Sequence, residues 1–407
     1  MKKTITFILL FLLIYSCSLH NIYAKETPPA VSADSAVILD AATGQLLYSK
    51  NPDSPYPPAS TTKIMTALLT LENTNLNDKV VIGKNPPAVE GTRLGLYPGE
   101  EITVRDLLYG LLLASDNDCA EALAEHISGS MDKFAAKMNA RAKELGAKNT
   151  NFVNPTGLFD ENHKTSARDL SLIMRALSKT PEYSKIATTT SYTIAPTNKS
   201  AKPRTVWNEN KLVQKQSMYY YSGCEGGKTG YTIQSLHSYT ATATRNGQEL
   251  IVALIHDKNK TFFKDSISLF DFGFNNFQLT KLYSKGDLVT TYNRNKLSIP
   301  LIANSDFYYV KQKDDKSIPH LNIQNKNLSF KFFKIGDVVN KATVYFKGQN
   351  IGELKLSSGV NHTEKQILDS DVIQNLVMKN KYSIPIMAVF LTAIVIFTIR
   401  KFIYINK

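Results

Sequence analysis

Ser60 and Lys63 stand three residues apart in the run Pro-Pro-Ala-Ser-Thr-Thr-Lys-Ile-Met-Thr-Ala-Leu-Leu. Helical positions i and i+3 share a face, so the amine can lie beside the hydroxyl. An amine kept neutral by desolvation can take the serine proton, and the alkoxide can then attack a carbonyl. Two further clusters lie downstream. Ser115-Asp116-Asn117 sits between an apolar run and a helix that begins with small residues, and alone it is a fair N-cap sequence. Lys228, Thr229, Gly230 and Tyr231 fall inside Gly-Gly-Lys-Thr-Gly-Tyr-Thr. Glycines around a lysine in a strand signal either a bulge or close backbone approach by a ligand.

The elements that must carry these residues follow from periodicity. Ala36 to Asp40 and Gln45 to Tyr48 are short apolar strands around Ala-Ala-Thr-Gly, a hairpin signal. A proline-rich stretch, Pro52 to Pro58, delivers the chain to Ser60. From there to about Leu177 the pattern is helical, with stripes at Ile64, Ala67, Leu68 and Leu71, at Ala120, Leu123, Ala124 and Ile127, and at Phe134, Met138, Ala142 and Leu145. Ser166 and Asp169 resemble a capping box that opens another helix. Strand character returns near Lys228. Ser238 to Thr244 and Glu249 to His256 flank an Asn-Gly pair, a hairpin signal, and Phe262 to Gly273 is helical. Strands at both ends of a helical middle predict one α/β unit whose ends meet in a single sheet. After about Phe277, short alternating segments such as Asp306-Phe-Tyr-Tyr-Val and Ala342-Thr-Val-Tyr-Phe predict an all-β domain with no catalytic cluster.

The chain has 407 residues and a formal net charge of +13. Lys2 and Lys3 precede an apolar run from Ile5 to Ile14, and Ala24 closes a cleavage site, the layout of a secretory signal peptide over residues 1–24. At the other end, Tyr382 to Ile399 is uncharged and apolar all round, about 27 Å as a helix against a hydrocarbon core of roughly 30 Å. Basic residues flank it, so the expectation is an exported protein held on the outer face of the cytoplasmic membrane by a C-terminal helix with a short basic tail inside. The expected organisation is a signal peptide at 1–24, a linker at 25–33, the α/β domain at 34–278, the all-β domain at 279–375 and the anchor with its tail at 376–407. No dense Arg/Lys block interleaved with aromatics is present, which argues against nucleic acid. After signal removal Cys119 and Cys224 remain; whether they pair is open, and no Cys/His cluster has zinc spacing.

Taken in order, Ser-x-x-Lys, Ser-x-Asn and Lys-Thr-Gly are the set shared by penicillin-recognising serine enzymes. The chain resembles the low-molecular-mass penicillin-binding proteins that act as D-alanyl-D-alanine carboxypeptidases, serine peptidase family S11. The resemblance runs from roughly Ser35 to Phe277 and includes Leu-Asp-Ala-Ala-Thr-Gly at 39–44, Pro-Gly-Glu at 98–100, Asn154-Pro-Thr-Gly-Leu and Asn208-Glu-Asn-Lys-Leu. It implies a β-lactamase/transpeptidase-like fold, an antiparallel sheet flanked by helices with a helical subdomain. It also implies removal of the terminal D-alanine from peptidoglycan stem peptides ending in D-Ala-D-Ala, and inhibition by β-lactam antibiotics. By the same resemblance Ser60 is the nucleophile, Lys63 its base, Ser115 a proton relay to the leaving amine, and Asn117 a holder of the peptide amide. Lys228 and Thr229 meet the substrate carboxylate, Gly230 lets the strand approach, and the N–H groups of Ser60 and Tyr231 form the oxyanion hole. No metal or organic cofactor is called for.

Two positions depart from the family pattern. Asp116 stands where relatives usually have glycine, and Phe262-Phe263 stand where many members place an arginine before a phenylalanine. Class A β-lactamases deacylate with a Glu-x-x-x-Asn motif between the second and third clusters, and the segment from Asn149 to Arg168 lacks that spacing. A penicillin sensor or wall scaffold without turnover is the alternative from another class.

Overall fold

The computed structural model describes residues 27–294, 297–329 and 332–362. The expected signal peptide and membrane helix lie outside them. No helix among the described residues is long and apolar enough to cross a membrane. The chain divides into two units. The first runs to Thr280 and takes in Tyr308–Asp315; the second holds Lys281–Phe307 and the chain from Lys316 onward.

Up to Asp257 the strands of the first unit are β1 (Ala33–Asp40), β2 (Leu46–Lys50), β3 (Lys79–Val81), β4 (Glu101–Thr103), β5 (Ser191–Ile194), β6 (Arg204–Trp207), β7 (Cys224–Thr232), β8 (Leu236–Arg245) and β9 (Gln248–Asp257). Five of them form one antiparallel sheet in the order β2-β1-β9-β8-β7. The two ends of the unit therefore meet, as Val37 pairs with Ala253 and Leu39 with Ile251. The helices are α1 (Lys63–Asn73), α2 (Val104–Tyr109), α3 (Asn117–Ser128), α4 (Met131–Glu144), α5 (Ala167–Ser178), α6 (Pro181–Ala187) and α7 (Phe262–Asn276).

Successive side chains of a strand point to opposite faces, and β9 uses both. Ile251, Ala253 and Ile255 join a core with α1, α3, α4 and α5, while Leu250, Val252 and Leu254 join a second core with Leu269 and Phe270 of α7. The sheet is thus a middle layer, and each fully buried Leu or Ile contributes roughly 1.5–3 kcal/mol. The hydrophobic stripes expected on α1, α3 and α4 all face the first core.

Local signals act as their chemistry dictates. Asn246 and Gly247 have φ of 52° and 77°, the two left-handed positions that a tight hairpin between β8 and β9 requires. Ser166 caps α5 by accepting from Asp169 N at 3.2 Å. The reciprocal half of a capping box is missing, because the Asp169 carboxylate instead accepts from Asn149 N at 2.6 Å and Thr150 Oγ1 at 2.8 Å. The stretch from Ser60 to Leu177 is not continuously helical. β3 and β4 form a ribbon, and between them Pro86, Pro87, Pro98 and four glycines allow no helix longer than the 3-10 turn Pro86–Ala88. Another ribbon, β5 with β6, has no strong alternation in sequence.

In the second unit the strands Leu288–Arg294, Leu297–Ala303, Gln349–Ser358, Val338–Phe346 and His320–Ile323 lie in that order in one antiparallel sheet. Ile299, Leu301, Val344, Leu354 and Leu356 fill its core. This is the all-β domain expected after Phe277.

Candidate active site

Ser60 lies on a single 3-10 turn, Ala59–Thr62, that runs directly into α1, so Lys63 opens the helix one turn further on. Ala59 is held at φ 49°, a left-handed conformation that an alanine adopts only when its surroundings impose it. The constraint is visible on both sides. A Cβ at Gly157 would lie 1.9 Å from Ala59 O, and a Cβ at Gly230 would lie 2.9 Å from both Ser60 N and Thr61 N. Only glycine lets the 154–157 loop and strand β7 close on the turn that holds Ser60 from opposite directions.

Lys63 has no exposed surface, whereas Ser60 is half-buried and open to a substrate. Lys63 Nζ lies 3.1 Å from Ser60 Oγ, 2.6 Å from Asn117 Oδ1 and 2.7 Å from the Thr156 carbonyl. Asn117 Nδ2 donates to Glu90 O at 2.6 Å, which fixes the amide so that its oxygen faces the lysine. Burial, and then the positive charge of Lys228, hold the Lys63 amine well below the ordinary lysine range; Asp116 and Glu209 pull the other way. A neutral amine has two N–H donors and one lone pair. With the donors spent on Asn117 and Thr156, the lone pair is left for the Ser60 hydroxyl.

Ser115 follows a π-turn, Gly110–Ala114, and sits at φ 66° immediately before α3. Such turns often mark functional positions. Among the described residues its hydroxyl has no hydrogen-bond partner. Asp116 is 2% exposed, and burial, reinforced by the charge of Asp118, pushes its carboxyl up to about 7.

Lys228 and Gly230 share a face of β7, the strand at the sheet's end, and Gly230 lies against the Ala59–Thr62 turn, while Lys228 Nζ donates to Thr229 O at 2.9 Å. Burial lowers the Lys228 amine to about 8, with Glu209 and Asp116 opposing. Thr229 donates its hydroxyl to Glu209 Oε2 at 3.0 Å. Tyr231 is exposed and stacks on His237, with ring centroids 4.5 Å apart. Phe262 packs against His237, Tyr239 and Phe263. Phe262 and Phe263, which stand in the sequence where an arginine was expected, thus belong to an aromatic cluster. Cys119 and Cys224 are both free thiols.

The structure thus gathers Ser60, Lys63, Asn117, Lys228 and Gly230 in one cleft, with Ser115 on the turn before Asn117 and Thr229 on the strand between Lys228 and Gly230. Sequence reasoning missed Thr156, whose contribution is a backbone carbonyl with no residue signature, and Glu209, which is visible only as a charge in Asn208-Glu-Asn. It also missed His163. The His163 Nδ1 accepts from Val153 N at 3.2 Å, so its Nε2 carries the proton and donates to Thr62 Oγ1 at 2.9 Å. Through it the 152–163 loop, which supplies the Thr156 carbonyl, is tied to the Ala59–Thr62 turn.

Burial lowers His163 from 6.5 to about 4, partly offset by Asp160. The unfolded chain therefore takes up the proton first as pH falls, and the stability present above 6.5 is lost progressively toward 4. Between pH 7 and pH 5 the expected loss from this one group is about 2 kcal/mol. Thermal unfolding of the wild type and of His163→Asn at both pH values checks it, since the variant lacks this component. An equal pH dependence in both proteins would contradict the assignment.

Comparison with known proteins places these features in a family. The sequence model of a family described as D-alanyl-D-alanine carboxypeptidase matches residues 22–259, and that of the penicillin-binding protein 5 C-terminal domain matches residues 277–365. The chain is 32% identical over 371 residues to D-alanyl-D-alanine carboxypeptidase DacF of Bacillus subtilis, covering 88% of this chain and 90% of that one. It is 34% identical over 252 residues to D-alanyl-D-alanine carboxypeptidase DacB2 of Mycobacterium tuberculosis, covering 60% and 84%. Among solved structures, penicillin binding protein 5 from Haemophilus influenzae superposes with a TM-score of 0.70 at 30% identity, over 83% of this chain and 99% of that one. The family match takes in the whole central sheet and every residue of the cleft around Ser60. The chain therefore belongs to the D-alanyl-D-alanine carboxypeptidase family.

Proposed function

We propose that Ser60 is the nucleophile of a serine-type D-Ala-D-Ala carboxypeptidase that trims peptidoglycan stem peptides. The observation that carries this reading is the Lys63 amine, buried, with two acceptors for its protons and its third contact at Ser60 Oγ. Lys63 takes the Ser60 proton as Oγ bonds to the carbonyl carbon between the two D-alanines. The N–H groups of Ser60 and Tyr231 receive the oxyanion. The C–N bond then breaks, and Ser115 passes the proton to the departing D-alanine amine. Asn117 holds the peptide amide, while Lys228 and Thr229 receive the terminal carboxylate. Water hydrolyses the ester and restores Ser60. A β-lactam acylates the same oxygen.

We assign residues 1–24 to an export signal and the helix at about 382–399 to a membrane anchor, with the α/β domain at 34–278 and the all-β domain at 279–375. The basic flanks and the length of the apolar run support this placement on the outer face of the cytoplasmic membrane.

Full-length protein in detergent, given a diacyl-Lys-D-Ala-D-Ala peptide and labelled penicillin, should release D-alanine and carry a long-lived adduct on Ser60. Fast penicillin turnover would indicate a β-lactamase, and labelling without D-alanine release would indicate a sensor. Unlabelled Ser60 in folded protein would overturn the reading.

The two amines also set a pH profile. Catalysis needs Lys63 neutral and Lys228 charged. The kcat/KM for D-alanine release should rise as Lys63 loses its proton and fall above about 8 as Lys228 does. A kcat/KM that keeps climbing beyond that range would remove Lys228 from carboxylate binding.

A further inference from the structure

A cavity of about 560 Å³ opens beside Ser115, with Arg93, Asp116, Arg204, Trp207 and Glu209 in its lining. It adjoins the leaving-group end of the site assigned above, because Asp116 follows the proton relay Ser115 and Glu209 accepts from Thr229, the carboxylate partner. D-alanine would bring a carboxylate next to Glu209 and leave the cavity empty. Glu209 asks for the opposite charge. Arg204 is neutralised by an ion pair with the buried Glu100, while Arg93 keeps its charge but is exposed, where solvent screens it, with Nη1 on Pro87 O at 3.0 Å. Asp116 lines the wall, but its unpartnered Oδ2 is sealed against Gly110 and Cys119, so Glu209 is the acid a ligand meets. Trp207, 68% exposed, offers an indole wall against which methylenes and an ammonium can pack.

We propose that this cavity is a subsite for the leaving residue, that it takes a D-amino acid whose side chain ends in an ammonium group, and that Glu209 is the specificity-determining residue. The inference rests on the acyl-transfer reading above and changes only the amine that departs. Ser60 Oγ bonds to the same carbonyl, the same C–N bond breaks, and the proton passes to the α-amine of the larger residue. That residue's α-carboxylate meets Lys228 and Thr229 while its side chain enters the cavity. The ammonium then pairs with Glu209 at the mouth.

The test uses the full chain in detergent and four peptides, diacyl-Lys-D-Ala-D-Xaa, in which Xaa is D-alanine, D-lysine, D-norleucine or D-glutamate. Released amino acid is quantified by chromatography. D-Norleucine matches the lysine stem without its charge, so it separates size from electrostatics. The expected kcat/KM for D-lysine is about fivefold above that for D-norleucine, the effect of one partly exposed charge pair, with D-glutamate slowest. Glu209→Gln should bring the D-lysine to D-norleucine ratio near unity and relieve the handicap of D-glutamate. In the wild type, added salt should shrink the same ratio, a readout that does not depend on any variant folding. Equal rates for D-lysine and D-norleucine in the wild type, or a ratio that survives either salt or Glu209→Gln, would overturn the subsite. No release from any of the four peptides, with no penicillin adduct, would instead count against the acyl-transfer mechanism itself.

Discussion

Ser60→Ala abolishes D-alanine release and penicillin labelling, with kcat falling about 10⁵- to 10⁶-fold, the scale seen when a serine nucleophile is removed. The fold should hardly register the change. Ser60 is half-buried, and its hydroxyl contacts Lys63, which keeps both Asn117 Oδ1 and Thr156 O. Only the Lys63 lone pair loses its partner, so the thermal midpoint should move by the equivalent of about 1 kcal/mol or less. Intact-mass measurement after penicillin treatment, beside a melting curve, separates the two outcomes. A penicilloyl adduct on the alanine variant would place the nucleophile elsewhere, with the unpartnered Ser115 hydroxyl the first suspect.

Lys63→Met keeps the nucleophile and removes its base. The acylation rate should fall about 10²- to 10⁴-fold, the range for loss of a positioned general base. Here stability changes as well, in a direction two opposing effects decide. Burying an amine beside Lys228 is unfavourable, so an apolar side chain relieves that term. Yet Asn117 Oδ1 and Thr156 O then lose their donor inside a closed site, at about 1–3 kcal/mol for each group left unpaired. The second effect is larger, and a lower melting temperature is expected. Stopped-flow acylation with a chromogenic β-lactam and parallel melts check both. Wild-type acylation in this variant would exclude Lys63 as the base.

The residues most legible in the sequence were those whose side chains act. Ser60 and Lys63 are tied by spacing alone, the Asn246-Gly247 turn by its backbone demand, and Ser166 by its capping oxygen. The closure of the sheet was also legible, because strands bracketed a helical middle. What stayed hidden was done by backbone or by context. The Thr156 carbonyl orients Lys63, but any residue has a carbonyl. Asp169 has the place of a capping-box partner and spends its carboxylate on Asn149 and Thr150 instead, a choice set by where the 149–150 loop passes. The β3–β4 and β5–β6 ribbons are three and four residues long, too short for alternation to register. Phe262 was legible as the residue standing where an arginine was expected, but its packing on His237 and Tyr239 was not, because that depends on how β8 passes it.

The pairing of β1 with β9 has a consequence for the newly made chain. Val37 meets Ala253, and the nucleophile turn meets Gly230, so the catalytic cleft is assembled from segments that are synthesised far apart. Contacts of such long sequence separation form late and slowly. A chain interrupted before β7 carries Ser60 and Lys63 on an adjacent turn and still lacks the wall that closes on them. Reactivity toward a β-lactam therefore reports completed folding rather than synthesis, and the rate at which labelling appears after dilution from denaturant would time the closing of the sheet.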